Sequence, residues 1–168
     1  MSENGCTNCE ENIPLTGEDV DAIRESWAIV WSNKKENGIN IFIKLFTQYP
    51  EAQEKFKDFR GLAIAEVKVH KKLRAHALSV IYALKSFIDS MEDTETMEQL
   101  VRKIANSHFE RTVTATQIQW LLPVFTEVLE EVTGENMKDI YKSAWTKLFD
   151  AIQKLWQQEH DEMSSKQT

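Results

Sequence analysis

The chain has 168 residues, 42% hydrophobic and 28% charged, a length and balance that suit one domain with a sizeable core. Its net charge of -7 argues against a surface built to neutralise phosphates, so no nucleic-acid partner is expected. Five glycines, three prolines and almost no alternating β-branched run leave little from which to build strands, so the fold class is all-α.

The first stretch, "MSENGCTNCEENIPL", is polar and aperiodic, and residues 1–14 are expected to form a flexible arm. It lacks the apolar segment of a secretory leader, and Ser2 stands where an N-myristoylation signal needs glycine. Cys6 and Cys9 form a C-x-x-C, yet nothing nearby supplies two more zinc ligands and no strand precedes it as in redox motifs. They read as ordinary thiols.

A domain over residues 15–160 follows. Thr16 and Asp19 form an [ST]-x-x-[DE] pair ahead of an apolar face at Val20, Ile23, Trp27 and Val30, which predicts a helix ending near Asn33. A second helix runs from about Lys34 to Tyr49, where Pro50 excludes its predecessor from the α region. Pro50 suits the first turn of a short helix to Phe56. The connector "KFKDFRGLAIAE" carries Phe56 and Phe59, poor surface residues unless they cover something apolar.

One long helix is expected from about Ala65 to Ser90, and its basic run Lys68 to Arg74 reads as a solvated face. After the polar break "MEDTET", a helix covers about Glu95 to Phe109. Another runs from Thr114 to a stop at Gly134, kinked by Pro123, and the last spans about Glu135 to His160 before a frayed tail, 161–168. No apolar run approaches the roughly 20 residues of a membrane span, so a cytoplasmic location is the simplest expectation.

Two of the four histidines fall inside apolar stripes. His76 lies within the line Leu73, Ala77, Val80, Phe87, and His108 follows Leu100, Val101, Ile104 and Ala105 by one turn. One inward histidine is readily a core residue bonded to a backbone carbonyl; two on separate helices leave that reading and a shared functional one equally open. The spacing around His70 and His76 is not H-E-x-x-H, G-x-S-x-G is absent, and Asp and Glu keep to polar faces. Zinc and hydrolase chemistry are therefore weak readings. A flat apolar cofactor with a central metal, haem, suits apolar walls and one or two axial imidazoles.

The marks "GINIFIKLFTQYPEAQEKFKDF", "LRAHALSV", "IANSH" and "SAWTKLF", in this order over about Leu15 to Trp156, resemble the globin family, most closely intracellular molluscan (bivalve) globins. The resemblance implies seven to eight helices around one pocket holding haem b. It assigns His108 as proximal iron ligand, with Ser107 accepting the ring's other N–H, and His76 as the distal histidine. Phe56 would stack on the haem, Val80 and Phe42 would crowd the ligand site, and Ile104 and Val113 would form proximal walls. Arg74, Lys72 and Arg111 are the candidates for pairing with a propionate.

The implied function is reversible O₂ binding, for storage or transport, at ferrous iron, with His76 donating to the ligand; CO and NO would bind as well. The alternative is a bis-histidyl iron, with His76 as sixth ligand, in redox, NO or gas-sensing work. The chain is not expected to be an enzyme, apart from side reactions such as NO dioxygenation or nitrite reduction. A homodimer is a further expectation of the resemblance.

Overall fold

This computed structural model describes residues 13–167; the expected arm, with Cys6 and Cys9, lies almost wholly outside the described residues. Among the described residues every regular element is helical: α1 (Gly17–Ser32), α2 (Lys34–Gln48), α3 (Pro50–Gln53), α4 (Ile64–Val69), α5 (Lys71–Asp89), α6 (Thr94–Phe109), α7 (Ala115–Gln119), α8 (Leu121–Thr133) and α9 (Asp139–Ser165). A single 3₁₀ turn, Gly134–Asn136, precedes α9. Counting α7 and α8 as one interrupted helix gives eight.

Local chemistry sets the ends. The Thr16 hydroxyl accepts the Asp19 N–H at 3.2 Å while the Asp19 carboxylate accepts the Thr16 N–H at 2.9 Å. Lys147 of α9 reaches the same carboxylate at 2.7 Å. Burial alone would raise the Asp19 pKa, but Lys147 and Thr16 outweigh it and hold the carboxyl below its ordinary range. The Asp93 side chain accepts the Thr96 N–H to start α6, and Thr114 and Gln117 cap α7 reciprocally.

Several boundaries differ from the sequence expectation. The helix expected over Ala65 to Ser90 is two: His70 is extended (φ -72, ψ 127), and its Nδ1 accepts the Lys72 N–H to cap α5. The expected kink at Pro123 is a break at Trp120, because proline gives no N–H to the Gln119 carbonyl and its ring crowds that turn. Finally, α3 stops at Gln53 rather than Phe56, and α9 continues to Ser165, past His160.

Helices α1, α8 and α9 share an aromatic core in which Phe125 meets Trp145 at 4.3 Å, and Trp27 and Phe149 flank them. The buried Trp145 Nε1–H is satisfied by Ser26 Oγ at 2.9 Å. Toward α2 and α5 the packing opens into a cleft. There α2 crosses α5 at Gly38, where a Cβ would lie 3.0 Å from Ile81 Cγ1 and 3.3 Å from the Ala77 carbonyl oxygen. A mid-helix glycine costs about 1 kcal/mol relative to alanine, and close backbone approach is its return. Because α2 carries Phe42 and α5 carries His76, this crossing sets how near those two rings come.

The connector from α3 to α4 is fastened from within. Buried Gln53 donates through Nε2 to the carbonyls of Phe59 at 2.7 Å and Leu62 at 3.0 Å, closing the turns that carry Phe56. Phe59 is buried against Phe46 and Phe56, so both connector aromatics do cover apolar surface.

Gly38→Val should push α2 off α5 and lower stability by about 1–3 kcal/mol through overpacking, read as a lower urea midpoint. A variant as stable as the parent would mean that the crossing has slack.

Candidate cofactor cleft

Between α2, α5, α6 and α9 the side chains leave a cleft of about 880 Å³, the open solvent at its mouth included. Its walls are almost wholly apolar: Phe42, Leu84, Phe87, Ile118, Phe149 and Ile152 among others. The exceptions that matter are His76 and His108, which face it from α5 and α6.

His76 is held by rings rather than by hydrogen bonds. Phe42 meets it edge-on at 5.1 Å between centroids and Phe56 at 5.0 Å, and the two phenyl groups touch each other at 6.1 Å. No hydrogen-bond partner for this imidazole occurs among the described residues. Burial, with smaller contributions from the charges of His108 and Arg111, lowers its pKa to about 4. The ring is neutral at pH 7 and keeps one N–H and one lone pair unused.

His108 is oriented instead by the backbone. Its Nδ1 lies 2.8 Å from the Ile104 carbonyl, one turn earlier on α6. A carbonyl only accepts, so the ring proton sits on Nδ1 and the free Nε2 lone pair faces away from α6's backbone. Ser107 Oγ, 3.1 Å from the same nitrogen, is a second acceptor and itself donates to Ile104 at 2.7 Å. Burial is the main cause that lowers the His108 pKa, opposed by the Ile104 bond and assisted by Arg111 and His160. Behind the ring stands Trp156, 5.2 Å away, its indole N–H bonded to the Val113 carbonyl.

Of the residues singled out in the sequence, His76, His108, Phe42, Phe56, Val80, Ile104 and Val113 all line the cleft. Ser107 lies behind His108, and the three basic candidates are outside: Arg74 is exposed, Lys72 pairs with Asp58 at 2.5 Å, and Arg111 is exposed beside the Ser107 carbonyl. Sequence reading missed Lys55, Trp120 and Trp156 as lining residues. Trp156 could have been found, since Trp145, Phe149, Ile152 and Trp156 follow i, i+4, i+7, i+11 spacing. It also gave no role to His160 at the end of the last helix, whereas its Nε2 bonds the Ala105 carbonyl at 2.9 Å on α6. Lys55 spans the mouth to the carbonyl and hydroxyl of Thr112, a non-glycine residue at φ 54.

Among the described residues no third His, Cys, Asp or Glu joins these two imidazoles in a metal-holding group. The site therefore suits a metal that arrives with ligands of its own. The family model described as Globin matches residues 39–155, over half of the chain. The chain belongs to the globin family. A globin of Tritia mutabilis is 31% identical over 141 residues, 82% of this chain and 96% of the relative. A globin of Nerita albicilla is 33% identical over 82% of this chain and 88% of its own, and Globin-1 of Anadara broughtonii 30% over 83% and 92%. Among solved structures, ferric Aplysia limacina myoglobin superposes with a TM-score of 0.80 at 26% identity, covering 86% of this chain and 98% of that one.

Membership of the globins implies haem, and this globin's residues fit it: an apolar slot, an oriented imidazole on α6 and an unpartnered one on α5. A further sign is electrostatic. In cofactor-free protein the unfolded chain binds a proton on His76 below about pH 6.5, while the folded chain resists until about pH 4. Its contribution to stability is thus fully present above pH 6.5 and falls as pH drops toward 4. Urea midpoints measured across that window should fall less steeply in His76→Leu than in the parent; equal slopes would contradict burial of a neutral ring.

Proposed function

We propose that this globin binds haem b in the cleft through His108 and takes up O₂ reversibly beside His76. The observation that carries the reading is two neutral imidazoles, on separate helices, turned into one apolar slot. Bound haem supplies a ferrous iron able to take O₂, CO or NO.

The chain's own residues do the rest. His108 presents the Nε2 lone pair, and its bond to Ile104 makes that nitrogen a better donor while fixing the ring's direction. Ile104 and Val113 keep this side dry. His76 directs its spare N–H toward a bound ligand that carries partial negative charge. Phe42 and Phe56 confine His76 and, with Val80, exclude water and protons that would promote oxidation of the iron. Among the three basic candidates Arg111 is the best partner for a cofactor carboxylate: its charge is felt at both histidines, whereas Lys72 is engaged by Asp58.

A second reading has His76 itself as sixth ligand. The lack of any hydrogen-bond partner for its ring favours that, because nothing need be broken for a nitrogen to bind iron. If His76 held the iron about 99% of the time, apparent ligand affinity would fall roughly 100-fold, which suits redox, NO or sensing work better than storage.

Absorption spectra of the reduced, anaerobic protein separate the two. One broad visible band means an open iron and O₂ storage or transport; two sharp bands mean bis-histidyl coordination; no Soret band after adding haem ends both readings. His108→Ala should lose haem on gel filtration, whereas a merely structural His108 would cost only some stability. His76→Leu should release O₂ faster in stopped flow; an unchanged rate would remove the hydrogen-bond role.

A further inference from the structure

His108 stands near the end of α6, between two backbone carbonyls that α9 holds by ring N–H groups. Before it in the chain, the Ala105 carbonyl accepts from His160 Nε2 at 2.9 Å; after it, the Val113 carbonyl accepts from Trp156 Nε1 at 3.2 Å. A carbonyl only accepts, so the His160 proton sits on Nε2, the tautomer opposite to that of His108. The rings of the two donors join the contact. Trp156 meets His108 at 5.2 Å and His160 at 5.8 Å between centroids, and Phe109, next to His108 in the chain, meets His160 edge-on at 5.1 Å. His160 lies one turn past Trp156, where the buried stripe of α9 ends, and is itself half-buried. An end turn that needed only solvation would not spend an imidazole N–H on the backbone of another helix.

We propose that His160 is a positioning residue for the iron ligand: its bond to Ala105 fixes where the last turn of α6 lies along α9, and so how squarely His108 presents Nε2 to the cleft. This rests on the haem reading above. The Ile104 carbonyl decides which way the His108 ring is turned, and Trp156 stops the ring from behind, but both leave open where the helix itself sits. The Trp156 N–H grips the loop after α6, beyond the left-handed Thr112 at φ 54, whereas His160 grips the helix backbone in the turn that carries the ligand. An imidazole carried out of line binds a metal less directly and lays its Nδ1–H more open to water.

Arg102 is the rival for this role. It also joins α6 to α9, through Glu159 and Glu162 at 3.0 and 3.2 Å. Those bonds run between the ends of long side chains, well before His108 in the chain, and long side chains follow a shifting helix. A ring bonded to a main-chain carbonyl does not.

The test uses ferric, haem-loaded protein with cyanide bound, which displaces any other sixth ligand and gives one low-spin complex whichever way His76 is engaged. Proton NMR then reads the iron-shifted His108 Nδ1–H and its exchange with solvent. His160→Leu should move that resonance and speed its exchange about tenfold, the worth of one net hydrogen bond. His160→Asn, whose amide is too short to reach Ala105, should do the same, while His160→Gln, with an N–H close to where Nε2 stands, should restore the parental signal. Arg102→Gln should lower the urea midpoint and leave the signal in place. A parental signal in His160→Leu and His160→Asn, or an equal change in His160→Gln or Arg102→Gln, overturns the proposal, since a merely structural His160 would move stability alone. Failure of the parent to take up haem overturns it together with the function it rests on; haem uptake with the signal unmoved by the His160 variants overturns the positioning role alone.

Discussion

The hydrogen bond from His108 Nδ1 to the Ile104 carbonyl decides which nitrogen looks into the cleft, and much of the fold serves to keep that bond in place. It is a bond between i and i+4 on one helix, so α6 must stay regular to its last turn. Packing from outside secures this. Arg102 of α6 meets Glu98 on its own helix and Glu159 and Glu162 on α9, with N–O distances of 2.9–3.2 Å, and His160 bonds the Ala105 carbonyl. Trp156 backs the imidazole itself. All of these but the Arg102–Glu98 pair come from α9, which therefore acts as the spine of the His108 side.

The His76 side is built on a different principle. Among the described residues no hydrogen bond aims that ring; two phenyl edges and the α2–α5 crossing do. Aromatic walls cost little to desolvate and leave both ring nitrogens free, but they confine the imidazole less tightly than a bond would. The asymmetry is chemically apt. On the roles proposed above, a ligand that holds a metal permanently would need a fixed tautomer, whereas a group that answers to a transient ligand would need a free N–H and some latitude.

Much of this could be read from residue order because it is local. Thr16 and Asp19 sit three apart and cap a helix wherever they occur; Pro50 ends α2 by steric exclusion; His76 and His108 betray themselves by lying in apolar stripes. What escaped was set by tertiary contact. Gly38 looks like an ordinary weak helix residue until Ile81 is found against it. His160 reads as a helix end without a role because its acceptor, Ala105, is 55 residues away. The break at His70 did leave a trace: Val67 and Leu73, both buried, are six residues apart and would lie on different faces of one continuous helix. Histidine is not a usual breaker, and that phase slip is the only local sign of the new helix.

That break bears on how His76 can move. His76 lies in the second turn of α5, close to a free-standing N-terminus capped by a single side chain–backbone bond at 3.2 Å and tied to the connector by the solvent-exposed Lys72–Asp58 pair. Exposed pairs of this kind contribute only about 0–1 kcal/mol. The C-terminal half of α5, by contrast, is anchored by buried Ile81, Leu84, Phe87 and Ile88. Displacing the first turns of α5 moves buried Leu73 and Ala77, the latter packed on Gly38, while displacing the rest also uncovers the larger cluster behind them. Had α5 begun at Ala65 as one rod with α4, His76 would sit mid-helix and any approach to a shared metal would drag the whole element. The extended residue at His70 thus decouples the imidazole from the helix before it, and on the haem reading proposed above the balance between the open and the bis-histidyl arrangement would turn on how far this first part of α5 shifts against Gly38.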